Sequence, residues 1–503
     1  MMQLNRQTLA ALGRPPGVSI GNLTPMPEKV LQFGEGNFLR SFVDWMIDAM
    51  NRRGLFGGRV VVIQPIEHGL VDVLNEQEGL YTLILRGLQG GQIVERREIV
   101  AAVSRGIDPY RQWGTFLAAA AQPDLRFVVS NTTEAGIAYV EEPRPVDKCP
   151  ASFPAKVAAL LAERFSRLNG DPAAGLVFLP CELIDRNGEQ LRSCVLRHAA
   201  AWGPSREFVR WVTEENRFLN TLVDRIVPGY PHEEILSLTA ELGYEDRLLT
   251  TGEIFHVWVI EGDAAVAKEL PLLEAGLNVV WTPDLQPFRT RKVRILNGAH
   301  TMTALAAYLG GLDTVRQCVE DPVFGAYVRR GIFDEILPLL PLPVEETRAF
   351  AEEAMERLAN PFIKHNLINI ALNSVSKYRV RVLPSLLEYR AASHRLPPAL
   401  TFSLAALLAF YRGTEIRDGA LVGARADGPY AVKDDAPVLE AFADQWRAYA
   451  HHPDAGRVCR AILARTDFWG QDLSALPDLL EDVVSQLSRI LQVGVRQAIS
   501  TIA

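Results

Sequence analysis

The sequence predicts an α/β N-terminal domain built on an open parallel sheet, followed by a mostly α-helical C-terminal domain. Three observations carry this. A chain of 503 residues exceeds what one ordinary core organises, so two domains are expected. In its first half, short apolar runs of strand type alternate with amphipathic helical stretches, the pattern of a parallel sheet with helical crossovers. Beyond about residue 297 the texture changes to long amphipathic stretches separated by short Pro- or Gly-containing breaks.

Residues 1–28 are rich in Pro and Gly and are expected to be a lead-in. Lys29–Phe33 (KVLQF) reads as a strand running into Gly34-Glu35-Gly36. Leu39, Phe42, Val43, Met46, Ile47 and Met50 then recur at helical spacing and predict one apolar helix face, before a buried-type strand at Arg59–Gln64. Arg126–Ser130 and Gly175–Leu179 are further strands, each ending in a polar turn, with a helix expected over Pro154–Phe165. The first domain is expected to span 29–290 and the helical one 291–503, with the seam in Pro283–Arg291. Helices are expected over 301–311, 322–340, 344–358, 362–375, 400–412 and 475–500.

Composition excludes several function classes. A net charge of −8 with no basic block argues against a nucleic-acid binder. The most apolar segment, Ala399–Tyr411, is shorter than the roughly 20 residues that span a bilayer, so no membrane role is expected. The five cysteines are scattered, the nine histidines show neither HxH nor HxxxH, and no metal site is expected. The N-terminus lacks a signal-type apolar core, which makes the cytoplasm the expected location. Cys181 is expected to be a packed thiol, and His451-His452 to lie in a polar loop.

Two motifs carry chemistry. Gly34-x-Gly36 stands between a strand and a helix, where glycine lets backbone approach a pyrophosphate. The third glycine of a dinucleotide fingerprint is replaced by Leu39, and a tight turn would explain the same residues. The second strand ends Gln64-Pro65 instead of in an acid, leaving Glu67 as the candidate ribose acceptor. The second motif is Lys292-x4-Asn297-x2-His300. Asn297 and His300 share a helix face, but Lys292 lies about 140° away on a continuous α-helix and would join them only from an irregular turn. A desolvated lysine can exchange a proton with an oxygen as hydride reaches its carbon, and Asn and His can hold that oxygen. From spacing alone, an exposed lysine, an N-capping asparagine and a core histidine explain these residues better.

Gln32–Arg40 (QFGEGNFLR), Glu78–Thr82 (EGLYT), Ser130–Gly136 (SNTTEAG), Val223–Pro228 (VDRIVP) and the Lys292–His300 element occur in the order found in the polyol-specific long-chain dehydrogenases. From about residue 28 onward the chain resembles this group, the mannitol dehydrogenase family. Within it, PCELID, NPFIKH and LTFSLAALLAFYRG are most similar to members acting on the ketouronate tagaturonate.

The resemblance implies a Rossmann-like domain binding NAD through Val30, Leu31, Gln32, Phe33, Gly34, Glu35, Gly36, Asn37, Phe38, Leu39, Arg40, Ser41, Asn131 and Thr132. It implies proton transfer by Lys292, with Asn297 and His300 on the reacting oxygen, and a small sugar acid as the binding partner. Asp224, Lys364, His365 and Lys377 are the implied substrate contacts, with Arg379 and Arg381 completing a basic cluster suited to a carboxylate.

Three positions depart from the polyol-oxidising pattern. Leu183 stands for an asparagine, Arg289 for a glutamate and Asn369 for an arginine. The expected activity is NADH-dependent reduction of tagaturonate to altronate. A fructuronate or mannitol-type oxidoreductase of the same family and a non-catalytic nicotinamide sensor are the alternatives.

Overall fold

Glu28–Phe33 (β1) lies at the centre of a six-stranded sheet in this computed structural model, which describes residues 2–13, 15–133, 135–203 and 205–502. The other strands are Arg59–Ile63 (β2), Val103–Ile107 (β3), Phe127–Ser130 (β4), Val177–Pro180 (β5) and Arg217–Phe218 (β6). They run in the order β3-β2-β1-β4-β5-β6, with every neighbouring pair parallel.

The strand sequences explain why the sheet is covered on both sides. Val30, Val60, Val62, Val129 and Leu179 enter one apolar cluster, while Leu31, Phe33, Val61, Val128 and Phe178 enter another. A strand buried on both faces has no polar alternation, which is why these segments read as continuous apolar runs. The strand order reverses between β1 and β4, and in open parallel sheets that reversal opens a crevice beyond the strand ends.

The chain divides into two units, Met1–Leu285 and Gln286–Ala503, the division falling inside Pro283–Arg291. In the first unit, residues 1–28 are more than a lead-in, which corrects the expectation. Arg6–Leu12 is a helix capped by Asn5, and Val18–Ile20 pairs in parallel with Gln92–Val100. Leu4, Leu9 and Val18 are buried with Leu80, Ile84, Ile99 and Tyr244. Pro and Gly in the connecting turns hid these short elements.

A further hairpin joins Tyr81–Gln89 to Gln92–Val100 across Gly90-Gly91, whose φ values of 60° and 73° are those a tight hairpin turn needs. The single helix expected after Gly36 is two, Asn37–Ser41 (α1) and Val43–Arg52 (α2), broken at Phe42. The predicted apolar face stays buried across the break.

The second unit is mostly helical. The 362–375 stretch is not one helix: Leu367–Ile370 is separated from the next helix by Asn373 at φ 51°. The 475–500 stretch breaks at Gly494 into Pro477–Val493 and Val495–Ile499. Ala399–Phe410 is buried throughout, within the helix Pro398–Phe410. No described helix is long and apolar enough to cross a membrane. Ile416–Arg417, Ala420–Arg425 and Gly428–Val432 form a small antiparallel sheet that the sequence reading did not anticipate. His451 ends the helix Ala436–His451, correcting its assignment to a loop.

Candidate active site

The first unit carries a cavity of about 510 Å³ at the carboxyl ends of β1, β2 and β4. Gly34, Glu35 and Gly36 line it from β1, Pro65 and Ile66 from β2, and Asn131 and Thr132 from β4. Gly34 sits at φ 121°, and a Cβ there would lie 3.1 Å from the carbonyl oxygen of Asn131. Only glycine combines that backbone with that approach. Gly36 has an ordinary φ of −67°, and a Cβ on it would meet nothing within 4 Å. Its surroundings are open space, not packing.

The remaining residues of the expected cofactor set support this loop from behind. Val30, Leu31, Phe33 and Leu39 are core residues whose side chains are not among those lining the cavity. Gln32 donates from Nε2 to the carbonyl of Gly34 at 3.0 Å and to Asp44 Oδ2 at 3.3 Å. Buried Arg40 donates to the carbonyls of Glu35, at 3.0 Å, and Leu248, and to Asn37 Oδ1 at 2.7 Å. Phe38 stacks on Phe42, and the Ser41 hydroxyl lies 3.3 Å from that of Thr250.

Glu182, which the sequence reading did not single out, anchors the end of β4. Its carboxylate accepts from Ser130 Oγ at 3.1 Å, Thr132 N at 2.9 Å and Thr132 Oγ1 at 3.0 Å. Asn131 Nδ2 donates to the carbonyl of Cys181 at 2.8 Å. The signal was an acid at the end of an apolar strand, in Pro180-Cys181-Glu182. Burial pushes the Cys181 thiol well above its ordinary range, so it is a packed thiol. Glu134 of the SNTTEAG run lies outside the described residues.

In the second unit the helix Gln286–Lys292 (α3) passes into a π-helical turn, Val293–Asn297, and then into Gly298–Leu309 (α4). This is the irregularity that the Lys292 spacing required. A π turn bonds residues i and i+5, so residues five apart come close to one above the other instead of on opposing faces. This segment lies between Lys292 and the Asn297–His300 pair, so the α-helical spacing of about 140° does not apply across it. Asn297 makes no capping hydrogen bond, because the helix continues through it. The other basic residues of this run are taken up elsewhere: Arg291 pairs with Glu346 at 2.5 Å, and Arg294 with Glu388 at 2.7 Å.

His300 bonds to the backbone of Leu296, and its Nε2 is buried without a partner. Desolvation first, then the positive charges of His365 and Arg357, hold its pKa down at about 3, so the ring is neutral at ordinary pH. The His300 and His365 rings meet edge to face at 5.6 Å.

Ser374–Arg381 (α5) packs against α4 and the π turn. A Cβ on Gly298 would lie 3.2 Å from the carbonyl of Arg381, so the glycine lets the two helices approach. Lys377 and Arg381 share a face of α5, being four residues apart. Lys377 Nζ donates to the carbonyl of Ile370 at 3.1 Å, and burial lowers its pKa, as does Arg381.

Arg381 is half-buried and touches Thr301 Oγ1 at 3.5 Å. Burial lowers its pKa, with no carboxylate contributing against it. By contrast, Lys364 is exposed, and so are Asn369 and Leu183. Asp224 is a buried residue of the first unit, paired with Val257 across an antiparallel ladder. Among the described residues, no three of His, Cys, Asp and Glu gather as a metal ion would require.

Comparison with known proteins follows the same division. Residues 28–274 match the mannitol dehydrogenase Rossmann domain and residues 284–491 the mannitol dehydrogenase C-terminal domain. The chain is 45% identical over 477 residues to the altronate oxidoreductase of Halalkalibacterium halodurans, covering 94% of this chain and 93% of that one. It is 46% identical over 476 residues to that of Yersinia enterocolitica, covering 94% and 96%.

Among solved structures, a substrate-free D-sorbitol dehydrogenase superposes with a TM-score of 0.81 at 19% identity, covering 99% of this chain and all of that one. Pseudomonas fluorescens mannitol 2-dehydrogenase, solved as a ternary complex with NAD and D-mannitol, gives 0.70 at 21% identity, covering 100% and 99%. These two likenesses concern the fold. With both halves matched and such relatives along nearly its whole length, the chain belongs to the mannitol dehydrogenase family.

Proposed function

We propose that the chain is an NAD-dependent oxidoreductase acting on a CH–OH group, and that it interconverts tagaturonate and altronate in hexuronate breakdown. The relatives' name, altronate oxidoreductase, supports the substrate. The observation that supports the reading is the π turn between Lys292 and the Asn297–His300 pair, with Arg381 half-buried on the neighbouring helix.

The cavity of the first unit fits a dinucleotide in its own features. The space beside Gly36 is open, one oxygen of buried Glu35 is unpartnered, and Ala135, Ala138, Val140 and Phe153 supply apolar wall. Gly34–Gly36, Asn131 and Thr132 would hold it there. When bound, the nicotinamide supplies the hydride for the keto carbon.

Lys292 Nζ gives a proton to the oxygen as the carbonyl becomes an alcohol, and takes it back in the reverse direction. Asn297 donates an amide hydrogen to the same oxygen. His300, neutral and already bonded to Leu296, offers Nε2 as an acceptor to a substrate hydroxyl. Arg381 pairs with the uronate carboxylate, supplying a cation that position 369, an exposed asparagine, does not. Lys377 contacts hydroxyls from the preceding turn of α5, and His365, whose ring meets that of His300, completes the set on the second unit. No metal takes part. Four buried thiols among five free cysteines suit a reducing compartment, so the cytoplasm is the proposed location.

The test is a substrate panel followed at the nicotinamide absorbance: tagaturonate, fructuronate and fructose, each with NADH and NADPH. Tagaturonate with NADH should be fastest. Fructose reduced faster than either uronate would replace this reading with a polyol dehydrogenase.

A further inference from the structure

Resting on the reading of the first-unit cavity as a dinucleotide site, we infer that Glu35 accepts the adenosine ribose hydroxyls and thereby selects NADH over NADPH. In βαβ dinucleotide units the acid that receives the ribose 2′-hydroxyl ordinarily stands near the end of the second strand. Here β2 ends at Ile63 and continues Gln64-Pro65-Ile66. The Gln64 side chain is turned back on its own loop, donating to the carbonyls of Ile66 at 3.0 Å and Glu67 at 3.3 Å. Glu67 is exposed to solvent and does not line the cavity. No residue of the strand end itself fills the role.

Glu35 brings a carboxylate to that place from the glycine loop. Its Oε1 accepts from the backbone N–H of Leu70 at 3.3 Å, in the segment that follows β2. A Cβ on Gly69 would lie 2.0 Å from that oxygen and 2.6 Å from Gln64 Oε1, so the glycine there makes room for the carboxylate. Glu35 is only 9% exposed, yet it lines the cavity, and its Oε2 is buried with no hydrogen-bond partner. An orphaned carboxylate oxygen at a cavity wall costs stability unless a donor arrives.

The rest of the wall leaves Glu35 as the discriminating group. The other acid among the described lining residues, Glu142, already accepts from Ala151 N at 2.6 Å and Ser152 N at 2.9 Å. Among the described lining residues there is no lysine, arginine or histidine. Arg40, the cation of the loop, is buried and donates to two backbone carbonyls and to Asn37. A ribose diol brings O–H donors to the free oxygen of Glu35. A 2′-phosphate brings further negative charge to the same oxygen, with no basic side chain among the described lining residues to pair with it.

The test is equilibrium binding of NADH and NADPH to the wild type, Glu35→Gln and Glu35→Asp, read by nicotinamide fluorescence, with thermal melts alongside. Glu35→Gln should weaken NADH about tenfold or more and leave NADPH unchanged or tighter, collapsing the preference. Glu35→Asp keeps the charge but shortens the reach, so it should weaken NADH while still rejecting NADPH. An unchanged NADH/NADPH ratio in Glu35→Gln, or equal weakening of both nucleotides with a lowered Tm, overturns the inference. A wild type that binds neither nucleotide overturns the dinucleotide reading itself.

Discussion

Replacing Arg381 with glutamine should separate charged from neutral substrates. Arg381 is half-buried, its side-chain hydrogen bond to Thr301 is long, and burial lowers its pKa without opposition from an acid. A carboxylate that binds there forms a charge-assisted, partly desolvated pair. Such hydrogen bonds are worth about 1.5–3 kcal/mol, which is roughly a 10- to 150-fold loss in kcat/KM for tagaturonate when the charge is removed. A neutral ketose has nothing to lose at that position, and its kcat/KM should move by less than about threefold. Exposed Lys364 provides the comparison, since a solvent-exposed pair contributes at most about 1 kcal/mol, or about fivefold. The assay is initial rates with tagaturonate and fructose for wild type, Arg381→Gln and Lys364→Gln. Equal losses on both substrates in Arg381→Gln, or a larger charge-specific loss in Lys364→Gln, would refute the reasoning.

Gly36→Val should keep the fold, because its backbone is ordinary and a Cβ meets nothing within 4 Å, yet weaken NADH at least about tenfold by filling space meant for the pyrophosphate. Unchanged NADH affinity in a titration would move the nucleotide elsewhere. Asp44 is buried, and its pKa is raised from an ordinary 3.8 to about 7, chiefly by desolvation. The folded state therefore keeps this proton where the unfolded chain has lost it, and stability falls as pH rises from about 4 to about 7, by up to roughly 4 kcal/mol. Asp44→Asn should flatten that decline, with Tm gained at pH 8 relative to pH 5; parallel melting curves for the two proteins would contradict the assignment. Exhaustive chelation should leave turnover intact, and activity lost and then restored only by a divalent metal would contradict the proposed mechanism.

Much of the architecture is legible in the sequence because it is set by local pattern. Continuous apolar runs at Val60–Ile63 and Val177–Leu179 can be satisfied only by burial on both faces, and that dictates a covered parallel sheet. Gly34 is legible too, because a positive φ against the Asn131 carbonyl admits no side chain. The hairpin at Gly90-Gly91 was not anticipated, and neither were the elements within residues 1–28. Their short elements gain stability only from long-range packing onto Ile84, Ile99 and Tyr244.

The site divides along the same line. Sequence by itself determined the chemical inventory: a glycine loop, a lysine, an asparagine, a histidine and a basic cluster. It could not say whether Lys292 reaches the other two residues, because α-helical spacing places it about 140° away. The tertiary structure replaces that spacing with a π turn at Val293–Asn297, and the proposed grouping of the three residues rests on it. It also decided which basic residues are already paired, which are exposed and which are half-buried without an acid. Charge is written in the sequence, whereas desolvation and pairing depend on neighbours distant in the chain.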